Sequence, residues 1–127
     1  RDGVGDEVAE SVWATAASVG QAMDDLDVAR FRGRHPLDLS VGERERIAIA
    51  TVLATKRPVL LLDEPTRGMD PVRRRAMADV LRRRAARGAA VVLVTHDSRL
   101  VDEIADRHLS LDAGVLVPAP SRHGAAV

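Results

Sequence analysis

The sequence contains no cysteine and almost no aromatic residues, and these absences exclude several kinds of site. Without cysteine there is no disulfide, no thiolate metal site and no cysteine nucleophile. Trp13 and Phe31 are the only aromatic residues, too few for the stacking platforms that bind single-stranded nucleic acid. Because the absence of cysteine suits a reducing compartment, we expect the protein in the cytoplasm.

Lysine is also nearly absent. Lys56 is the one lysine among 19 basic residues, and no Gly-Lys pair occurs, so the sequence has no P-loop. The 19 basic residues balance 19 acidic ones, and no whole-chain field attracts nucleic acid or acidic lipid. No apolar run approaches the roughly 20 residues that cross a bilayer. We therefore expect a soluble chain without a targeting segment.

The 127 residues have room for one domain, which divides into three segments. Residues 1–57 are predicted to form a helical segment, 58–117 an α/β segment and 118–127 a disordered tail of small residues. Within 1–38, the apolar stripe predicts two short helices that are interrupted at Ser18-Val19-Gly20. The capping box Ser40-Val-Gly-Glu43 predicts a further helix that stops at Lys56-Arg57-Pro58.

Two apolar runs, Val59–Asp63 and Ala90–Thr95, are typical of parallel strands covered on both faces. Between them, Asp70 and Pro71 predict the start of a helix that Gly88 closes. We assign it a buried stripe (Ala76, Met77, Val80 and Leu81) and a solvated arginine face (Arg74, Arg75 and Arg82). A helix over 98–105 and a hairpin over 109–117 follow.

The order of these elements predicts an α/β fold. It consists of a parallel sheet with flanking helices, an N-terminal helical segment and a C-terminal β-hairpin.

Acidic and histidine side chains stand at the predicted carboxyl ends of the two strands, where open α/β sheets bind ligands. Of the pair Asp63-Glu64, one carboxylate can hold Mg²⁺ and the other can reach a nucleophilic water. His96 can hydrogen-bond a phosphate or an attacking water. Each pattern has a plainer interpretation: Asp63 and Glu64 as solvated charges that begin a loop, and His96 as a cap of the next helix.

The segment Leu39-Ser-Val-Gly-Glu43 offers a third candidate site. A serine and a glycine at a helix start expose amide groups and the positive end of the helix dipole, which together bind anions. The capping box explains the same residues without a ligand.

Four motifs together resemble those of the ATP-binding-cassette (ABC) ATPases. They are the signature (39–43), Walker B (59–65), the D-loop (66–70) and the switch histidine (94–97). The resemblance covers roughly residues 20–117 and is greatest to the cobalt, nickel and vitamin importers of the energy-coupling-factor type. It implies the C-terminal part of a nucleotide-binding domain with a P-loop NTPase-type sheet, whose P-loop portion is missing. In that family the P-loop strand lies between the strand ending near His96 and the one around Leu109.

The resemblance implies a role for each matching position. The segment Leu39, Ser40, Val41, Gly42 and Glu43 would bind the nucleotide of an opposite cassette, with Ser40 and Gly42 at its γ-phosphate. Val41 replaces the family's usual glycine there, and Glu43 its usual glutamine.

Residues at the strand ends and in the loop after the first strand would have the remaining roles. Asp63 would hold Mg²⁺ through water, and Glu64 would be the general base or orient the water. His96 would bridge that water and the γ-phosphate, and Asp70 would couple the two cassettes.

The resemblance further implies an ATP hydrolase with ATP and Mg²⁺ as cofactors. Its partners would be a second ABC ATPase subunit and an integral membrane permease, at the inner face of the cell membrane, with no nucleic acid. The 127-residue chain alone would be inactive. Two alternatives remain open: a non-transport ABC-type ATPase of the DNA-repair or chromosome class, and a non-hydrolytic accessory partner that supplies only the signature. The first normally has long coiled coils, but residues 1–38 show no sustained heptads.

Overall fold

The structure, a computed structural model, describes residues 15–119. Two single-turn 3-10 helices, Ala29–Phe31 and Pro36–Asp38, separate the first two α-helices. The regular elements are α1 (Ala16–Asp25), α2 (Val41–Ala54), β1 (Val59–Asp63), α3 (Pro71–Ala86), β2 (Ala90–Val94), α4 (Ser98–Ile104), β3 (Leu109–Asp112) and β4 (Val115–Pro118). From α2 onward, this is the predicted order.

Helix α1 begins at a capping box that the sequence interpretation missed. The Thr15 hydroxyl accepts a hydrogen bond from the Ser18 amide at 3.2 Å, and the Ser18 hydroxyl accepts one from the Thr15 amide at 2.8 Å. The helix then continues through Gly20. The predicted interruption at Ser18-Val19-Gly20 is therefore wrong, because Ser18 helps to start the helix. The part of the stripe before Thr15 lies outside the described residues.

Helices α2 and α3 begin at the predicted caps. Ser40 precedes α2 and Asp70 precedes α3, with Pro71 at its first position. Gly88 follows the C-terminal cap of α3 with a φ of 95°, a left-handed conformation that glycine adopts without strain. Both helix starts and the end of α3 are thus confirmed.

The strands form two separate two-stranded sheets. β1 and β2 pair in parallel, with Leu60 opposite Val91 and Leu62 opposite Leu93. β3 and β4 pair antiparallel around Ala113-Gly114, whose positive φ values are typical of a type I′ turn. The α/β fold with a terminal hairpin is confirmed. β4 reaches Pro118, inside the segment predicted as a tail, and residues 120–127 lie outside the described residues.

One hydrophobic cluster joins α1, α2 and α3 to a single face of the β1–β2 sheet. Its largest fully buried side chains include Met23, Ile47, Leu60, Met77 and Leu81. The opposite sheet face is open: Val59, Leu61, Val92 and Val94 are 48–72% exposed.

The prediction that both faces of these strands are covered is therefore wrong for the part of the chain that is described. Side chains alternate along a strand, and the described helices pack only on the side of Leu60 and Leu62. Ala76, assigned to the buried stripe of α3, is also exposed.

Candidate functional site

Glu64 lies immediately after β1, in an unusual backbone conformation. Its φ is 46°, in the left-handed region that a residue with a side chain rarely adopts. Its amide donates a hydrogen bond to the Val94 carbonyl at 2.8 Å, which extends the pairing of β1 with β2 by one step. The chain therefore turns sharply where the strands end, and backbone strain of this kind is frequent at functional sites.

The Glu64 carboxylate is held by two consecutive residues that follow β2. Oε2 accepts a hydrogen bond from the Thr95 hydroxyl at 3.1 Å, and Oε1 accepts one from the His96 amide at 2.9 Å. The His96 imidazole is fully exposed, and its Nε2 lies 3.8 Å from Oε1. The structure thus brings together the two residues that the sequence assigned to catalysis, because parallel strands end at the same sheet edge.

Asp97 connects this edge of the sheet to helices α3 and α4. Its carboxylate caps α4 by accepting hydrogen bonds from the Arg99 and Leu100 amides at 3.1 and 3.2 Å. The buried Thr66 hydroxyl lies 3.4 Å from one of its oxygens, and Arg74 Nη1 lies 3.8 Å from the other. The assignment of Arg74 to a solvated face is wrong, because its side chain is only 19% exposed, although its Nη1 makes no hydrogen bond.

Asp63 is the last residue of β1 and lies on the open face of the sheet, exposed. Glu64 turns toward β2 instead, so the two adjacent carboxylates diverge. No group of three or more acidic or histidine residues within 15–119 gathers as a metal cage. A lone exposed carboxylate nevertheless suits Mg²⁺, which retains water and is bound through one or two carboxylates together with substrate phosphates.

The signature segment forms the predicted capping box. The Ser40 hydroxyl accepts from the Glu43 amide at 3.3 Å, and the Glu43 carboxylate accepts from the Ser40 amide at 2.8 Å. This amide bond is the main reason why the pKa of Glu43 is lowered from its ordinary value. Leu39 is buried in the core, Val41 is 63% exposed, and no atom lies where a Cβ at Gly42 would point. Within 15–119, no hydrogen bond or ion pair joins this segment to Glu64.

Asp70 caps α3 and is bound to Arg73. Its carboxylate accepts hydrogen bonds from the Arg73 amide at 2.9 Å and from the guanidinium at 2.7 Å. The amide bond is the largest cause of a lowered Asp70 pKa. Asp70 and Arg73 line a cleft of about 440 Å³ between the end of α1 and the starts of α2 and α3.

Arg46 lines the same cleft, and sequence reasoning missed it. Only 6% of this residue is exposed, and its Nε has no hydrogen-bond partner. Burial is the main cause of a lowered Arg46 pKa, and the charge of Arg73 is the next. The available signal was its spacing, because Arg46 shares the buried face of α2 with Ala50 and Leu53 at helical intervals.

Comparisons with known proteins identify the family. Residues 18–102 match the family described as "AAA domain, putative AbiEii toxin, Type IV TA system". A "Putative ABC transporter ATP-binding protein" of Streptomyces avermitilis is 44% identical over 100 residues, which are 79% of this chain and 37% of the relative. The "Hemin import ATP-binding protein HmuV" of Streptomyces coelicolor is 46% identical over 98 residues, 77% of this chain and 35% of the relative. The chain thus spans about a third of these curated relatives.

Two solved structures of ABC transporters have a similar fold. "Structure of a bacterial Atm1-family ABC exporter with ATP bound" has a TM-score of 0.79 at 26% identity, covering 91% of this chain and 22% of that one. "An inward-facing conformation of a putative metal-chelate type ABC transporter" has a TM-score of 0.71 at 26% identity, covering 95% and 54%. The chain therefore belongs to the AAA-domain family. It is also similar to proteins named as ATP-binding proteins of ABC transporters, in agreement with the resemblance of the four motifs.

None of the helices within 15–119 is long and apolar enough to cross a membrane.

Proposed function

We propose that this chain is the C-terminal part of an ABC transporter ATP-binding protein. As a complete cassette, the protein hydrolyses ATP in a head-to-tail dimer and drives a membrane permease from the inner face of the cell membrane. The observation that carries the proposal is the Glu64 carboxylate, bound by Thr95 and His96 at the shared end of two parallel strands. The relatives are named as ATP-binding proteins of ABC transporters, which supports the transport role.

The geometry suits hydrolysis by an activated water. Glu64 would take the proton of that water or orient it, because its carboxylate is fixed and it stands where open α/β sheets bind ligands. The His96 imidazole is close enough to turn toward the same water or a terminal phosphate. Asp63 would hold Mg²⁺, which when bound neutralises charge on the transferring phosphate.

The signature segment would act on the nucleotide of the opposite cassette. The Ser40 hydroxyl already accepts from the Glu43 amide, so its own proton is available to a phosphate oxygen. The amides at the start of α2 and its helix dipole attract the same anion. Asp70, at the start of α3, would belong to the loop that couples the two cassettes.

The two alternative functions, a non-transport cassette and an accessory partner, are less well supported by these observations. A non-transport cassette has no support among the relatives and structures described above, which are named for transport. An accessory partner that supplies only the signature would not need Glu64 or His96.

The test is Glu64→Gln in the complete protein. Turnover should fall at least about a hundredfold, the typical effect of removing a general base, while ATP binding stays close to wild type. Steady-state phosphate release and nucleotide binding are measured side by side. The control is Glu103→Gln, which changes a carboxylate paired with Arg82 away from the site and should leave turnover unchanged. Turnover of Glu64→Gln within a few-fold of wild type would refute the proposal and favour the accessory partner.

A further inference from the structure

The Thr95 hydroxyl lies between the Glu64 carboxylate and the start of α4. Its Oγ1 is 3.1 Å from Glu64 Oε2 and 3.0 Å from the Asp97 amide nitrogen. A hydroxyl has one proton to donate, and a carboxylate only accepts. Because the Asp97 amide donates to Thr95, the threonine proton is directed at Glu64. The two hydrogen bonds therefore form a relay that runs from the Asp97 amide, through the Thr95 hydroxyl, to the Glu64 carboxylate.

Several contacts hold Asp97, the residue at which this relay begins. Asp97 is held through its cap of α4 and through its contacts with Thr66 and Arg74. Thr66 is buried, and the Arg74 side chain is only 19% exposed. The position of the Thr95 hydroxyl is thus determined by contacts with α3, α4 and the segment after Glu64.

The Glu64 carboxylate, at which this relay ends, depends on the hydrogen bond from Thr95 for its orientation. Glu64 has a left-handed backbone, and the only donors to its carboxylate among the described residues are Thr95 and the His96 amide. With one donor lost, the carboxylate would be free to rotate about the remaining bond. A misplacement of about 1 Å in a reacting group can reduce a rate a hundredfold.

We propose that Thr95 is a positioning residue that fixes the orientation of the Glu64 carboxylate for catalysis. The proposal rests on the proposed function, since it gives Thr95 a role only through Glu64. It predicts an effect on the chemical step and none on nucleotide affinity.

The experiment compares variants of the complete protein in steady-state hydrolysis of radiolabelled ATP, which measures kcat and KM, and in single turnovers, which isolate the chemical step. Thr95→Val keeps the shape of the side chain but removes the hydroxyl, and should lower kcat about ten- to a hundredfold with the KM for ATP within about twofold of wild type. Thr95→Ser keeps the hydroxyl and should restore most of the rate. The matched control is Thr51→Val, which removes a hydroxyl bonded only within α2, to the Ile47 carbonyl, and should leave kcat unchanged.

A double-variant cycle separates this proposal from the proposed function. If Thr95 acts through Glu64, adding Thr95→Val to Glu64→Gln causes no further loss of rate. A multiplied loss, or a Thr95→Val rate equal to wild type while Glu64→Gln is slowed at least about a hundredfold, overturns the positioning role alone. An active Glu64→Gln overturns the proposed function itself. If Thr95→Val does not fold, Thr95→Ala with ATP affinity as the check of folding provides the same comparison.

Discussion

Arg46 is the only charged residue within 15–119 whose exposure falls below a tenth, and it is incompletely paired. A buried donor without a partner costs roughly 1–3 kcal/mol, and the charges of Arg73 and Arg30 oppose its own. The charges of Asp27 and Glu43 act in the opposite sense but more weakly, so we expect Arg46 to add little to stability. Periodicity could locate Arg46 on a buried face, but its missing partner depends on contacts between three helices.

We expect Arg46→Met to leave the free energy of unfolding unchanged or to raise it by up to about 1 kcal/mol. Methionine keeps an apolar stem in the cleft and removes the desolvated charge. Denaturant unfolding of the complete protein measures the change, with the exposed Arg44→Met on the same helix as the control. A loss of more than about 2 kcal/mol would show that Arg46 is a structural anchor.

The helices and strands were largely predictable because their signals are local. Ser40 with Glu43, and Asp70 with Pro71, mark helix starts through contacts three residues apart, and apolar runs mark both parallel strands. The proximity of Glu64 and His96 was predictable because the ends of parallel strands meet at one edge of the sheet. The left-handed turn at Glu64 and the hydrogen bond from Thr95 to its carboxylate were not predictable, since both depend on how β1 is placed beside β2.

The cap that Ser40 forms at the start of helix α2 can be tested by removing its hydroxyl. Ser40→Ala should lower the free energy of unfolding by about 0.5–2 kcal/mol, because the Glu43 amide loses its acceptor. The exposed Ser98→Ala, at the first position of α4 rather than at its cap, should have a smaller effect. If Ser40 also donates to a phosphate, ATP-induced dimerisation measured by light scattering weakens beyond this loss. Unchanged dimerisation would leave Ser40 with the cap alone.

Taken as a whole, the described residues leave apolar surface open in two places. One face of the β1–β2 sheet is uncovered, and Leu111, Val115 and Leu116 of the hairpin are 60–72% exposed. Parallel sheets are normally covered on both faces, and unpaired strand edges invite association. The chain spans about a third of its curated relatives. We therefore expect the remaining length of a cassette to cover these surfaces and to place a strand between β2 and β3, which lie in separate sheets here.

The last prediction concerns residues 1–127 in isolation, which we expect neither to bind MgATP at micromolar concentration nor to hydrolyse it. In cassettes of this family, glycine-loop amides and a lysine surround the phosphates, and the sequence has no Gly-Lys pair. Asp63 and Glu64 would instead present two negative charges to a polyanion. Calorimetric titration with MgATP measures the affinity, and the complete protein, which should bind, is the control. Micromolar binding by the isolated chain would contradict the assignment of phosphate binding to the missing P-loop.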